Sequence, residues 1–146
     1  MIWAIPKIIH LLGAVIWVGG MFFALLVLRP SLSVIEPPQR LALHGQVFRR
    51  FFLIVWHAMP LVLLSGYFML FSKYGGFAGA GPYIHIMHLT GLIMAAVFVW
   101  IFVGPWKRFR ADPASRPEAA NAIRKLILVN LILGLLTIVV AAFGAY

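Results

Sequence analysis

Four histidines are the residues of this chain best suited to chemistry. His10, His57, His85 and His88 lie inside strongly apolar stretches, and no Asp, Glu, Lys or Arg lies well within those stretches. A neutral imidazole in such surroundings can ligate a metal ion or make hydrogen bonds between helices. The sequence therefore offers two kinds of role for these side chains, a metal or haem site and simple helix packing.

Counting from the basic residues that flank each stretch estimates the depth of each histidine. His10 lies 19 residues before Arg29, and His88 lies 19 residues before Lys107. At about 1.5 Å of rise per residue, both imidazoles lie roughly 28 Å from these anchors and hence at one level. His85 is one helical turn further out and is the rival of His88. His57 is only seven residues from its anchor, which places it at a different level.

Small and aromatic residues share helix faces with the paired histidines. Gly13 and Trp17 follow His10 at helical spacing, and Gly91 follows His88. Small residues beside a ligand leave room for a flat macrocycle, although such stripes also serve close helix packing. The predicted cofactor-binding residues are His10, His88, His85, Gly13, Gly91 and Trp17.

Two facing imidazoles at one depth favour a haem b whose iron is held by His10 and His88. Such a protein would transfer electrons between the haem and a quinone or a periplasmic redox partner, which leaves a membrane oxidoreductase as a candidate activity. Imidazole suits copper equally well. The methionines form no repeated stripe on one helix, so copper is the alternative cofactor, bound by His10 and His88 or at an external site of His85, Met87 and His88. A structural subunit of a membrane complex is the third hypothesis.

Two further polar residues lie at membrane depth. His57 precedes Pro60, and Asn130 is estimated to lie at a depth similar to that of His57. They predict a polar pocket that could admit a quinone. The alternative for His57 is a hydrogen bond to a neighbouring helix, since the proline frees a backbone carbonyl.

These side chains must be positioned by membrane helices. The chain has 146 residues, of which 64% are hydrophobic and 10% charged, whereas soluble domains carry about 25% charged residues. Four segments are long enough to cross a bilayer, namely 8–28, 51–72, 83–104 and 126–146. We therefore predict one all-α domain, an integral membrane four-helix bundle. The lack of cysteine excludes disulfides, thiolate nucleophiles and iron–sulfur clusters.

The basic residues predict the orientation of the bundle. Ten of the twelve Lys and Arg residues lie in the connections 29–50 and 105–125. The positive-inside rule places these connections in the cytoplasm and both termini on the periplasmic side. A formal net charge of +9 is explained by these connections without nucleic acid as a partner. We expect a multi-pass protein of the bacterial inner membrane, with lipid, a periplasmic metal carrier and a second copy of the chain as candidate partners.

Three stretches resemble the copper-resistance D family. The first is 10–23, which runs from His10 through Trp17 and Gly20 towards Arg29 and Pro30. The second is 48–52, the entrance to the second helix, and the third is 130–137. The resemblance covers nearly the whole chain and implies copper uptake across the inner membrane, with His10 matched in the first helix.

A more distant resemblance is to the bacterial four-helix membrane protoporphyrinogen oxidases. Those proteins also carry a histidine in the first helix and another in the third, and they bind haem b. Their third-helix histidine is followed two residues later by lysine, whereas here Met87 occupies that place after His85. The resemblance implies haem binding, and the departure speaks against oxidation of a porphyrinogen.

Overall fold

Four long helices build the protein in a computed structural model that describes residues 2–144. We number the helices α1 to α5 in chain order, and the short α4 lies between the last two long ones. The bounds are Ala4–Phe22 for α1, Pro37–Tyr74 for α2, Pro82–Val103 for α3, Pro105–Ala111 for α4 and Arg116–Phe143 for α5. α1, α2, α3 and α5 each belong to a helical stretch long and apolar enough to cross a membrane.

Proline and glycine mark the helix boundaries. α2, α3 and α4 each begin with a proline, whose fixed φ and missing N–H suit the first turn of a helix. α2 ends at Tyr74, and the residue that follows, Gly75, adopts the left-handed conformation with a φ of 69°. α1 is followed directly by a π-helical segment, Phe23–Leu28, in which each backbone hydrogen bond spans one residue more than in an α-helix. Such π-helical segments are rare and frequently lie beside functional sites.

The long helices pack as two pairs, α1 with α2 and α3 with α5. The pairs meet over an apolar core that includes Met21 of α1, Phe52 of α2, Phe98 of α3 and Ile127 of α5. Phe52 and Phe98 are in edge-to-face contact with ring centroids 5.9 Å apart. This arrangement confirms the predicted all-α membrane bundle. α2 begins at Pro37 and α5 begins at Arg116, so both helices are longer than their predicted spans and include parts of the connections 29–50 and 105–125.

α4 caps the core at one end of the bundle. Its Trp106 and Phe109 are buried and make edge-to-face contacts with Phe48 of α2. The guanidinium of Arg110 lies 5.5 Å from the centre of the Trp106 ring, and that of Arg116 lies 5.8 Å from the Phe109 ring. α4 is therefore an amphipathic helix that turns its aromatic face inward and leaves Lys107 and Arg108 exposed.

The two ends of the bundle differ in composition. The connections 29–36 and 104–115 lie at the end capped by α4, which we call the basic end. The start of α1, the end of α5 and the connection between α2 and α3 lie together at the other end, which we call the terminal end. Trp3 accordingly packs against Phe68, and Gly144 lies against the Tyr83 ring.

A reporter experiment tests which end faces the cytoplasm. We expect alkaline phosphatase fused to the C-terminus to be active, because that enzyme folds only on the periplasmic side and the positive-inside rule places the terminal end there. Green fluorescent protein inserted in the connection 111–115 is expected to fluoresce. An inactive phosphatase at the C-terminus together with a non-fluorescent protein at 111–115 would show the opposite orientation.

Candidate functional site

A cavity of about 690 Å³ lies between the two helix pairs at the terminal end. All four long helices contribute to its wall. It begins near Lys7, Lys73 and Tyr83 and extends inward to Trp17 and Met94. Its lining is mostly apolar, with few polar groups, which is the usual character of a small-ligand site.

His10 of α1 enters the cavity wall with its ring held in one orientation. Its Nδ1 lies 2.9 Å from the carbonyl oxygen of Val62, and a carbonyl can only accept, so Nδ1–H donates. The Ser65 hydroxyl is 3.3 Å from the same nitrogen. Gly66 makes room for the ring, because a Cβ there would lie 3.2 Å from His10 Cε1. The lone pair on Nε2 is left for a ligand, as in many histidine metal sites.

His88 of α3 lines the same cavity from the opposite pair. Its Nε2 is 3.3 Å from the Tyr67 hydroxyl, and its ring stands edge-on to the Tyr67 ring at 4.9 Å. Phe77 covers it from the connection between α2 and α3, with centroids 5.1 Å apart. When Nε2–H donates to Tyr67, Nδ1 keeps a lone pair that can bind a metal.

Three methionines line the cavity together with the two histidines. Met69 comes from α2, whereas Met87 and Met94 come from α3. Methionine thioethers are soft ligands that select Cu(I), and imidazole also binds copper. The sequence predicts only Met87 among them as a copper ligand, because no methionine stripe lies on one helix and the group converges from two helices. Tyr67 and Gly66 were not predicted, because no local pattern shows that they contact His88 and His10.

The inner limit of the cavity is closed by packed side chains. Trp17 and Met94 are buried at this level, with 3% and 4% of their surface exposed. Asn130 of α5 is buried beside them, and its amide donates to the Met94 carbonyl at 3.0 Å. Beyond them the aromatic core fills the basic half of the bundle. The cavity therefore opens towards the terminal end.

The two glycines predicted to make room for a cofactor have different neighbours. Gly91 lines the cavity, and a Cβ there would meet no atom within 4 Å. At Gly13 a Cβ would lie 2.5 Å from Val62 Cγ2. Gly13 is buried between α1 and α2 and lies outside the cavity wall, so it permits the close approach of the two helices.

His85 lies outside the cavity although it is only three residues from His88. Its side chain is exposed, and its ring is stacked on Phe77 with centroids 6.1 Å apart. Phe77 thus packs against both imidazoles. Met87 points into the cavity from the same turn.

The predicted polar pocket of His57 and Asn130 is not formed. His57 is exposed on the outside of the bundle, and its Nδ1–H donates to the Leu53 carbonyl one turn earlier in α2 at 2.8 Å. Asn130 is 1% exposed and faces α3. The two residues point away from a common space, because depth alone does not say which face of a helix a residue occupies.

The groups of the cavity wall that are able to bind a metal are imidazole nitrogens and thioether sulfurs. Within residues 2–144, no cluster of three or more His, Cys, Asp or Glu side chains could hold a metal ion. Hard cations prefer sites rich in carboxylate oxygens, and among residues 2–144 no carboxylate belongs to the cavity wall. Two imidazoles and three thioethers instead favour a soft ion.

Comparison with known proteins gives one match. The family described as copper resistance protein D matches over residues 45–143, which is more than half of the chain. The matched range includes His88, Tyr67 and the three cavity methionines and begins after His10. No curated protein and no solved structure matches the chain.

Proposed function

The chain belongs to the copper resistance protein D family, and on that premise we propose that it handles copper at the membrane, with the terminal cavity as the binding site. The observation that carries the proposal is the convergence of His10, His88 and three methionines on one cavity. The family match indicates copper as the metal, and the imidazoles and thioethers of the cavity are groups that bind copper.

Cu(I) is the form of copper that this ligand set favours. Thioethers bind Cu(I) well and hard ions poorly. The His10 ring is already oriented for metal binding, because its Nδ1 contacts the Val62 carbonyl and the Ser65 hydroxyl and its Nε2 is left for the metal. His88 can contribute from the other helix pair, and Tyr67 orients its ring. Copper is the substrate here, and the ion would bridge the two helix pairs.

Uptake of copper would begin at the terminal end. This end faces the periplasm if the protein lies in a bacterial inner membrane with the orientation that its basic residues predict. A periplasmic metal carrier is then the natural donor of the ion. The packed core below Trp17 and Met94 closes the inward route, so release on the other side would require the helix pairs to move apart.

Haem b is a second candidate, favoured by the mouth of the same cavity. Lys7 and Lys73 lie there and could pair with two propionates, while His10 and His88 would hold the iron. Two axial imidazoles make a haem suited to electron transfer, with a quinone or a periplasmic protein as the partner. The presence of these two lysines and two histidines in one cavity is the reason we keep haem b as the alternative to copper.

Metal content and an optical spectrum distinguish the two candidates. We expect protein purified from cells grown with added copper to retain about one copper ion per chain and to show no Soret band. A Soret band with a sharp reduced α band, together with iron in place of copper, would favour haem b. Protein that retains neither metal would contradict both proposals.

Replacement of a cavity methionine tests the thioether ligands. We expect Met87→Leu to weaken Cu(I) binding only about tenfold, the lower end of the range for a change at a metal site, because Met69 and Met94 remain as thioether ligands. Leucine has nearly the same volume, so folding should be preserved. Met59→Leu is the matched control, since Met59 is a buried core residue outside the cavity. Equal affinities of the two variants would show that Met87 does not bind the ion.

A further inference from the structure

A second cavity of about 490 Å³ lies at the basic end, at the opposite end of the bundle from the cavity that His10 and His88 line. Its wall combines the π-helical segment after α1, the connection to α2, the first turns of α2 and the start of the apolar part of α5. The lining residues are Leu25, Leu26, Arg29, Pro30, Leu32, Ser33, Arg40, His44 and Arg124.

Three guanidinium groups face this cavity without an acidic partner. Arg29, Arg40 and Arg124 come from three different parts of the chain, and no Asp or Glu belongs to the wall. In residues 2–144 the sole ion pair joins Arg108 to Glu118, 3.8 Å apart and largely exposed. Like charges in one cavity repel each other, so their convergence indicates a site for an anion.

The hydrogen bonds of these arginines leave donors free for that anion. Arg40 donates through Nε to the Ile35 carbonyl at 2.6 Å and through Nη2 to the Ser33 carbonyl at 3.0 Å. Arg124 donates through Nη2 to the Asn121 side chain, and its buried Nε has no acceptor in residues 2–144. Within residues 2–144, Nη1 of Arg40, Nη1 of Arg124 and the guanidinium of Arg29 make no hydrogen bond, so these groups are the donors available to an anion.

The remaining wall is apolar and indicates the rest of the ligand. Leu25, Leu26 and Leu32 lie beside the arginines, and Leu26 is 54% exposed towards the lipid side of the bundle. An inorganic anion gains no binding energy from apolar side chains. A lipid has both a charged headgroup and apolar chains, and the cavity lies where a membrane helix meets its basic flank.

We propose that this cavity binds the headgroup of an anionic phospholipid, with the phosphodiester between Arg29, Arg40 and Arg124 and the acyl chains along the leucines. Guanidinium groups recognise phosphate oxygens through paired N–H donors. A zwitterionic lipid would bring its ammonium group into the same positive field, so phosphatidylglycerol is expected to bind more tightly than phosphatidylcholine.

Native mass spectrometry of the full chain in detergent micelles tests the proposal. We expect phosphatidylglycerol added to the micelles to be retained by the protein in preference to phosphatidylcholine. Arg124→Gln should reduce the retained fraction about fivefold, the effect expected for one basic residue at a lipid surface. Lys125→Gln is the matched control, because it removes the same charge one residue away from an exposed position outside the cavity.

Two further arms separate the outcomes. Arg29 is exposed, so Arg29→Gln should fold normally and lower retention even if Arg124→Gln does not fold. Inorganic phosphate at 10-fold excess over the lipid is expected to leave lipid retention unchanged. Displacement of the lipid by phosphate, or equal losses in Lys125→Gln and Arg29→Gln, would overturn the proposal.

Discussion

Replacing His10 by alanine is expected to weaken Cu(I) binding by at least about 100-fold, because the loss of a direct ligand should exceed the 10–100-fold commonly lost with a hydrogen-bond partner of a ligand. His10 is the best oriented imidazole of the cavity, with its Nδ1–H bonded to Val62 and its other nitrogen left for the metal. The measurement is an anaerobic titration of purified protein against a coloured Cu(I) chelator.

His57→Ala is the matched control for this experiment. His57 is also a histidine of a membrane helix, yet it is exposed outside the cavity and bonds to a carbonyl of its own helix. Its replacement should leave the affinity for Cu(I) within about twofold of the unchanged protein, because surface changes of this kind rarely exceed 0.5 kcal/mol. Equal losses in the two variants would mean that the ion does not bind at His10.

Gly13→Ala is expected to lower the free energy of unfolding by about 1–3 kcal/mol, the usual cost of an extra methyl in a packed interface. The added Cβ would lie 2.5 Å from Val62 Cγ2. Valine is β-branched and has little rotamer freedom in a helix, so the helices must move apart. Denaturant titration in detergent micelles measures the change.

Gly19→Ala provides the control on the same helix, because a Cβ at Gly19 would meet no atom within 4 Å. We expect this variant to be at least as stable as the unchanged protein, since alanine favours the helix. Val62→Ala combined with Gly13→Ala should recover part of the lost stability. Equal stability of Gly13→Ala and Gly19→Ala would contradict the close packing of α1 and α2.

The helices could be predicted from the sequence because their signals are local. Runs of apolar residues define the spans, Pro37 and Pro82 begin helices, and Gly75 ends one. The short α4 was not predicted, since its seven residues give too brief a pattern. Its buried Trp106 and Phe109 depend on contacts with α2, which no local pattern encodes.

The composition of the cavity could be predicted only in part. Equal counts from Arg29 and Lys107 placed His10 and His88 at one level, and both side chains line one cavity. These residue counts give the depth of a side chain in the membrane but not the direction in which it leaves its helix. The inward direction of Met69 and Met87, and the outward direction of His57, follow from how the helix pairs pack.

The ligand geometry around bound copper tests the proposed site most directly. X-ray absorption spectroscopy at the copper edge distinguishes nitrogen from sulfur ligands in the Cu(I)-loaded protein. The chain has no cysteine, so any sulfur ligand must be a methionine thioether. We expect both nitrogen and sulfur around the metal, from the histidines and methionines of the terminal cavity. A shell of nitrogen and oxygen without sulfur would contradict a copper site in that cavity.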